Sequence, residues 1–410
     1  MTWLEGCAVC FGHRAQVLAL RRYLQGLLSD STRKSMEAML ARVTEPGSYQ
    51  AVQHFIADAP WDAEAVWRRL RTVLPDRAGV LIIDGTSFPK QGMQSVGVAR
   101  QYCGALGKIA NCQVAVTAAL WAGGRAYPLG AALALPEAWR TPAARQRARI
   151  PATVVLQERW RQALTLLRQT RASGIRVTGV LADAEYGDCG LFRAMLHRLR
   201  LPYAVGVSST VTVFPGTPAL IGPRATPGRG RPRTRPTLAP GVEPQPVAAV
   251  AAAAPWRTIR WRNRREAREW RASFAAVRVT PAHDWRHRRL APEVWLLAER
   301  VGGETPRTKY TLVNLPATAT LTALVRLTHQ RWAIEQQYQD LKTDLGLDHF
   351  EGRTFPGWHH HVVLTALAYT FLQLERRRSR VSVTFPVGRA IVQEIFTAYL
   401  FAQRPQYLTR

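Results

Sequence analysis

Apolar and polar residues recur along this chain with two different periods, and the changes of period divide it. Residues 14–28 carry Leu18, Leu20, Tyr23, Leu24, Leu27 and Leu28 at helical spacing, which predicts an amphipathic helix. Further helices are expected from Ser31-x-x-Lys34, over residues 51–57 and over residues 62–74, so the first 75 residues read as a helical unit. At residues 79–84 the pattern switches to a short apolar run ending in an acid, Gly-Val-Leu-Ile-Ile-Asp, as a buried strand would be. Residues 111–121 and 125–135 read as two more strands, with Gly123-Gly124 as the turn between them. A helix over 154–171, a second buried strand over 174–183 that also ends in an acid, a helix over 189–199 and a strand over 202–207 follow. Strands and helices in this order make an α/β layered domain.

Between residues 214 and 255 the composition collapses into Pro, Gly, Arg and Ala, which predicts a flexible basic segment. Strand-like runs return at 271–279, 293–299 and 309–314, among Trp256, Trp261, Trp270, Trp285 and Trp295. This β-rich stretch is either a core with its rim or a surface for stacking and phosphate contact with nucleic acid. A helix over 324–345, a loop over 346–357 and helices over 358–377 and 387–401 complete the pattern.

The helix over 324–345 is unusual. Leu327, Ile334, Tyr338, Leu341 and Leu345 form its apolar stripe. At 100° per residue from Glu335, Arg331 falls at about −40° and Lys342 at about −20°. Alone, these three are an i,i+4 ion pair with a lysine for company. Their face, however, borders the apolar stripe instead of opposing it, so the acid looks toward whatever the helix packs on.

Charge adds a partner to this picture. The 410 residues include 56 Lys and Arg against 28 Asp and Glu, a net charge of +28, and only five of the bases are lysines. Such a surface attracts polyphosphate, and arginine adds bidentate phosphate and guanine contacts. No run of about eighteen apolar residues predicts a membrane span, and residues 1–16 lack the apolar core of a signal peptide. Five cysteines, an odd number, fit a reducing compartment, so a cytoplasmic protein is expected. Cys7-x-x-Cys10 has no second Cys/His pair at zinc-ribbon spacing. Three adjacent histidines, His359, His360 and His361, point about 100° apart on a helix and cannot form one tight metal site; capping or DNA backbone contact is expected of them.

Three acids stand out: Asp84 and Asp183 at the ends of the two buried strands, and Glu335. Carboxylates in this pattern suit two Mg²⁺ ions, the arrangement that cuts a phosphodiester. The chain resembles the DDE transposases of bacterial insertion sequences, in the branch related to insertion sequence 701. The matching residues run from Leu81 to Lys90, from Gly97 to Tyr102 with Gly107 to Val116, from Leu181 to Gly187, and from Arg331 through Glu335 to Gly352. The resemblance implies a ribonuclease H-like mixed sheet flanked by helices and interrupted by a β-rich insertion, with an N-terminal helical domain. On that reading residues 1–75 are a helical DNA-binding domain, a plain helical cap on the next domain being the alternative, 76–210 and 317–410 form the catalytic domain with the C-terminal helices, and 211–316 are the basic segment and insertion. Asp84, Asp183 and Glu335 are the implied catalytic metal ligands, for two Mg²⁺ ions with Mn²⁺ able to substitute.

The branch also carries a Y-R-E-K set near the scissile phosphate. Arg331, Glu335 and Lys342 match it, and Thr328 stands at the tyrosine position. With Lys90 and Arg100 these are the expected DNA-contacting residues. The implied reaction is hydrolysis freeing a 3′-hydroxyl at the element end, then attack on target DNA, with a second-strand hairpin in some relatives. Expected partners are terminal inverted repeats, target DNA and a second copy in a homodimer. The alternatives are a binding-only descendant and a ribonuclease H-like nuclease without strand transfer.

Overall fold

The expected N-terminal helices form, and they pack on a helix from near the other end of the chain. In this computed structural model, residues 2–222, 235–262, 269–283, 285, 289–302, 307–379 and 383–405 are described. Two compact units result: unit 1 is Met1–Arg176 with Trp332–Arg410, and unit 2 is Val177–Arg331.

Unit 1 opens with α1 (Thr2–Ala8), α2 (Arg14–Leu28), α3 (Met36–Leu40), α4 (Tyr49–Ala57) and α5 (Ala63–Val73). The second helix boundary differs from expectation, because Ser35, not Ser31, accepts the capping bond from Ala38 N. Ser31 Oγ donates instead to the Arg33 carbonyl. Strands β1 (Ala78–Pro89), β2 (Ala99–Cys103), β3 (Lys108–Ala122) and β4 (Arg125–Leu133) form an antiparallel sheet in which β3 pairs with the other three. Gly123 and Gly124 turn β3 into β4 with φ of 55° and 74°, conformations that favour glycine. Helices α6 (Pro142–Arg147) and α7 (Arg159–Ala172) follow, α7 lying on β3 and β4. The long strand β1 continues five residues beyond Asp84, so this acid lies within the strand and not at its end.

Unit 2 contains β5 (Arg176–Ala182) from Val177 on, α8 (Ala184–Gly187), α9 (Gly190–Arg198), β6 (Tyr203–Val207), β7 (Thr212–Pro215), β8 (Leu220–Ile221), β9 (Thr237–Leu238), β10 (Gln245–Pro246), α10 (Val247–Ala253), β11 (Trp256–Arg262), β12 (Glu269–Pro281), β13 (Val294–Val301), β14 (Arg307–Val313) and α11 (Leu321–His329). Its sheet is mixed: β5 and β6 are parallel, and β6, β14, β13 and β12 are antiparallel neighbours, with β11 and β7 on β12. The segment expected to be a flexible basic excursion is partly folded. Residues 223–234 lie outside the described residues, but α10 buries Val247, Val250 and Ala251 against this sheet. Its alanine-rich sequence hides a helix whose apolar side is short yet sufficient.

The chain re-enters unit 1 at α12 (Trp332–Gln339), then a π-helical turn (Asp340–Asp344), α13 (Phe355–Arg378) and α14 (Phe385–Gln403). The single helix expected over 324–345 is therefore three pieces, interrupted at Gln330-Arg331 and widened at 340–344. Helix α13 packs on α2, α4, α5 and β4, and most of its residues are buried around the whole circumference. The α/β class with a mixed sheet flanked by helices is as expected.

The histidine run is part of this core, which corrects its expected role at DNA or as caps. Thr354 caps α13, while His360 and His361 are 3% and 1% exposed. His360 meets the carbonyls of Ile56 and Trp61 at 2.8 and 2.9 Å and stacks on the Trp61 ring. His361 Nε2 donates to the Gly346 carbonyl at 3.0 Å, so its Nδ1 accepts from the Tyr23 hydroxyl at 2.7 Å. Burial pushes the His361 pKa down to about 4, against about 6.5 unfolded. The unfolded chain then binds more protons between these values, and stability rises with pH across that window. Acidification from pH 6.5 to 4 is expected to lower the thermal midpoint, and His361→Gln should flatten that dependence in a melting series.

Candidate functional site

In unit 1, Asp84 is 7% exposed at the centre of β1, directly opposite Thr117 of β3. The Thr117 hydroxyl lies 3.5 Å from the Asp84 carbonyl oxygen and 2.5 Å from the Tyr338 hydroxyl. Tyr338 stands three residues after Glu335 on α12, hence on the same side of that helix. Helix α12 packs on β1 and β4. The exposed Glu335 is thereby carried by a helix pinned at the level of Asp84.

The π-helical turn brings Lys342 down onto the same strand. Its ammonium donates to the Ser87 carbonyl at 2.9 Å and lies 5.4 Å from the Phe88 ring centre. Lys90 donates to the Phe350 carbonyl, tying the 346–353 loop to the end of β1. Burial lowers both lysine pKa values, with Asp348 opposing the shift in each case. Each ammonium has three donors, so one backbone bond does not exhaust it. Arg100 is exposed on β2.

Unit 2 supplies the other predicted residues. Asp183 follows β5 and caps α8, its Oδ1 accepting from Glu185 N at 3.1 Å. Burial raises its pKa, the Glu185 charge adds to this, and the Arg331 guanidinium with the Glu185 and Tyr186 amides opposes it. A desolvated acid beside another acid is a place short of positive charge. Arg331, assigned by helical spacing to the face of Glu335, thus has an electrostatic partner in Asp183. Thr328 returns its hydroxyl to the Leu324 carbonyl at 3.0 Å. Among the described residues no three His, Cys, Asp or Glu side chains stand together as a metal site.

Two features position Asp183 that sequence reasoning did not single out. A Cβ on Gly187 would lie 1.7 Å from the Gly206 carbonyl oxygen, so α8 reaches β6 only with glycine there. Buried Arg193 donates to the Gly187 carbonyl and meets His283 Nδ1 at 2.9 Å. Neither carries a sequence signal, because close approach of two backbones is a property of the folded sheet.

The β-rich stretch bears an open hollow of about 690 Å³ lined by Arg260, Arg271, Arg300 and Arg307 with Thr258, Ser273 and Thr308. Thr258, Ser273, Arg300 and Thr308 are register partners across four strands, and Arg260 pairs with Arg271 on the same face. The Arg300 guanidinium lies 4.0 Å over the Trp256 ring. Cations directly opposite one another are unfavourable on a sheet and call for an anion. The other tryptophans divide: Trp295 donates to the Pro316 carbonyl and Trp285 packs on Phe214, while the side chains of Trp261 and Trp270 lie outside the described residues.

Residues 8–268 match the model of the DDE superfamily endonuclease family. A probable transposase for insertion sequence element IS701 from Microchaete diplosiphon is 34% identical over 195 residues, 46% of this chain and 48% of that protein. The match thus spans about half the length of this curated relative. A cryo-EM structure of the piggyBac transposase synaptic complex with hairpin DNA aligns with a TM-score of 0.43 at 9% identity, over 96% of this chain and 73% of that one.

Gly187→Ala tests the seat of Asp183. The forced contact is expected to cost about 1–3 kcal/mol, read as a lowered thermal midpoint, whereas Gly92→Ala, which meets nothing within 4 Å, should leave it unchanged.

Proposed function

Because the chain belongs to the DDE superfamily of endonucleases, we propose that it cuts DNA at the ends of an insertion sequence and joins the freed 3′-hydroxyl to target DNA. One observation supports this reading: the Tyr338–Thr117 hydrogen bond ties the helix of Glu335 to β3 at the residue directly opposite Asp84.

Asp84, Asp183 and Glu335 are the carboxylates assigned to divalent metal, Mg²⁺ with Mn²⁺ as a substitute. The donor chemistry fits, since all three offer hard oxygen ligands and half-buried Asp183 stands beside a second acid. Bound ions of this kind supply Lewis-acid activation of the attacking oxygen and charge neutralisation at the phosphate. The protein's own part is orientation. Arg331 and Lys342 hold phosphate oxygens, with Thr328 contributing a hydroxyl, and Lys90 and Arg100 extend the contact beside β1 and β2. The Arg260, Arg271, Arg300 and Arg307 hollow takes a further stretch of DNA backbone, with Trp256 available for stacking.

Residues 76–210 and 317–410 carry the chemistry in this proposal, and 211–316 grip DNA. Residues 1–75 contribute exposed Arg33 and Arg68, but not Arg71, which is buried on the Leu129 carbonyl and Glu64. Two copies hold two terminal inverted repeats and act on target DNA. No helix among the described residues is long and apolar enough to cross a membrane, and the bacterial nucleoid is the proposed place of action.

Mg²⁺-dependent nicking of a terminal-repeat duplex is expected on a denaturing gel, with joined products when target DNA is added. Asp84→Ala should slow cutting by more than about 100-fold while keeping the wild-type melting temperature; cutting at the wild-type rate would overturn the assignment. Arg271→Glu with Arg300→Glu is expected to weaken DNA binding in fluorescence anisotropy. The slope of log affinity against log salt should shrink by roughly one for each phosphate that the variant no longer neutralises.

A further inference from the structure

The ribbon formed by β2 and the start of β3 has two apolar faces, and one of them faces solvent. On the inner face Cys103 is fully buried and packs with Cys112, Val114 and Ala134. On the outer face Tyr102 and its register partner Ile109 are 65% and 61% exposed, and Leu106 in the turn is 48% exposed. The solvated face of an antiparallel pair is ordinarily polar. A cluster of large apolar groups there marks an interaction surface.

This ribbon is tied to the candidate site through one serine. Ser87 Oγ accepts from Ala105 N at 2.9 Å and from Cys103 Sγ at 3.4 Å. The carbonyl of the same serine takes the Lys342 ammonium. Lys90 N donates to the Asn111 carbonyl at 2.9 Å, and the Asn111 amide returns a bond to the Lys90 carbonyl at 3.0 Å. Ser87 stands three residues from Asp84 in β1, roughly 10 Å at the rise of a strand. That reach is about three steps of 3.4 Å along a nucleic-acid strand.

Charge selects the partner. Between Asp84 and Glu137 the chain has no acid, and its charged residues there are Lys90, Arg100, Lys108 and Arg125. Arg100 shares the outer face with Tyr102, two residues along β2, and Arg159 donates to Gln101 Oε1 at 3.2 Å. From the 346–353 loop, Asp348 and Glu351 act on Lys90, and Glu351 is also ion-paired with Arg33. Both acids are thus engaged with cations, and the ribbon itself carries none. An apolar patch framed by cations fits a ligand with flat apolar faces and negative charge. A fully paired duplex offers the charge but hides its base faces. A strand with one base out of the stack offers both.

We propose that the β2–β3 ribbon is a wedge that opens DNA beside the cut, Leu106 entering the stack and the Tyr102 ring taking the displaced base. This rests on the reading of Asp84, Asp183 and Glu335 as a DNA-cutting site. Unstacking is costly, and stacking of the freed base on an aromatic ring offsets it. The bonds to Ser87 hold the turn in place while it enters.

The base analogue 2-aminopurine, which brightens when it leaves the stack, tests the wedge. It is placed in turn at each position near the element end of a terminal-repeat duplex, with binding verified by anisotropy. Fluorescence is read without metal ions, so it decides the wedge whether or not a strand is cut. Wild type is expected to brighten at least one position within a few nucleotides of the cut. Tyr102→Ala with Leu106→Ser should abolish the rise; both sites are exposed, and an unchanged melting temperature verifies the fold. With Mg²⁺ the same variant should nick the paired duplex about 10-fold more slowly, and regain the wild-type rate on a duplex mismatched at the bright position. Wild-type nicking beside dark probes would overturn the wedge and leave the cutting assignment standing. Bright probes without any nicking would remove the cutting assignment and keep the wedge as a DNA-opening device. A rise undiminished in the variant, or no rescue by the mismatch, would overturn the proposal. So would Tyr102-dependent binding to anionic vesicles, or to a second copy, by a chain that leaves the probes dark.

Discussion

A carboxylate in the middle of a strand covered on both faces is costly unless its surroundings answer it, and Asp84 sets that condition for unit 1. A polar lane runs along β1 beside it. Thr117 lies opposite the acid, Tyr338 reaches Thr117 from α12, and Lys342 meets β1 again at the Ser87 carbonyl. Neighbouring positions on the strand, Leu81, Ile82, Ile83 and Phe88, are fully apolar and buried. Hydroxyl to hydroxyl and ammonium to carbonyl, these two bonds hold α12 and its π-helical turn in register against the sheet.

Cations serve two separate purposes in this protein. One group is internal: Lys34 donates to the Ser29 carbonyl, Lys90 to Phe350, Lys342 to Ser87 and Arg71 to Leu129. Most of these bonds join segments far apart in sequence, and burial lowers the lysine pKa values, that of Lys34 to about 8. The other group faces outward, with Arg260, Arg271, Arg300 and Arg307 concentrated around one hollow. A net charge counted from sequence mixes the two, and only the second group is free to attract a polyanion over distance.

Much of the fold is legible because strand and helix periods are strong where the core is thick. The runs at Leu81–Asp84 and Val177–Asp183 and the Gly123-Gly124 hairpin announce themselves through apolar density and turn chemistry. What escapes the sequence is local geometry decided by tertiary contact. Helical spacing joined residues 324–345 into one rod, yet the chain breaks at Gln330-Arg331 and widens at Asp340–Asp344. The apolar stripe runs through both irregularities, so periodicity conceals them. The histidine run misleads in the opposite sense: charge-capable residues on a helix suggest a surface, but α13 is buried all round and carbonyls from α4 and the following loop receive the His360 ring. Among the candidate site residues, the acids are visible from their strands and helix, whereas the Gly187–Gly206 approach and the Arg193 brace exist only once the sheet has formed.

The long reach of α13 also bears on synthesis. Tyr23 and His361 share a hydrogen bond across 338 residues, while unit 2 is one continuous stretch. On the ribosome, unit 2 can assemble from its one continuous stretch, but α2, α4 and α5 must wait for α13, which is made after the whole of unit 2. At 5–20 residues per second the delay is on the order of tens of seconds, during which α2 lacks its contact with α13. A nascent chain that has not reached α13 therefore holds a complete unit 2 and N-terminal helices that still lack their cover.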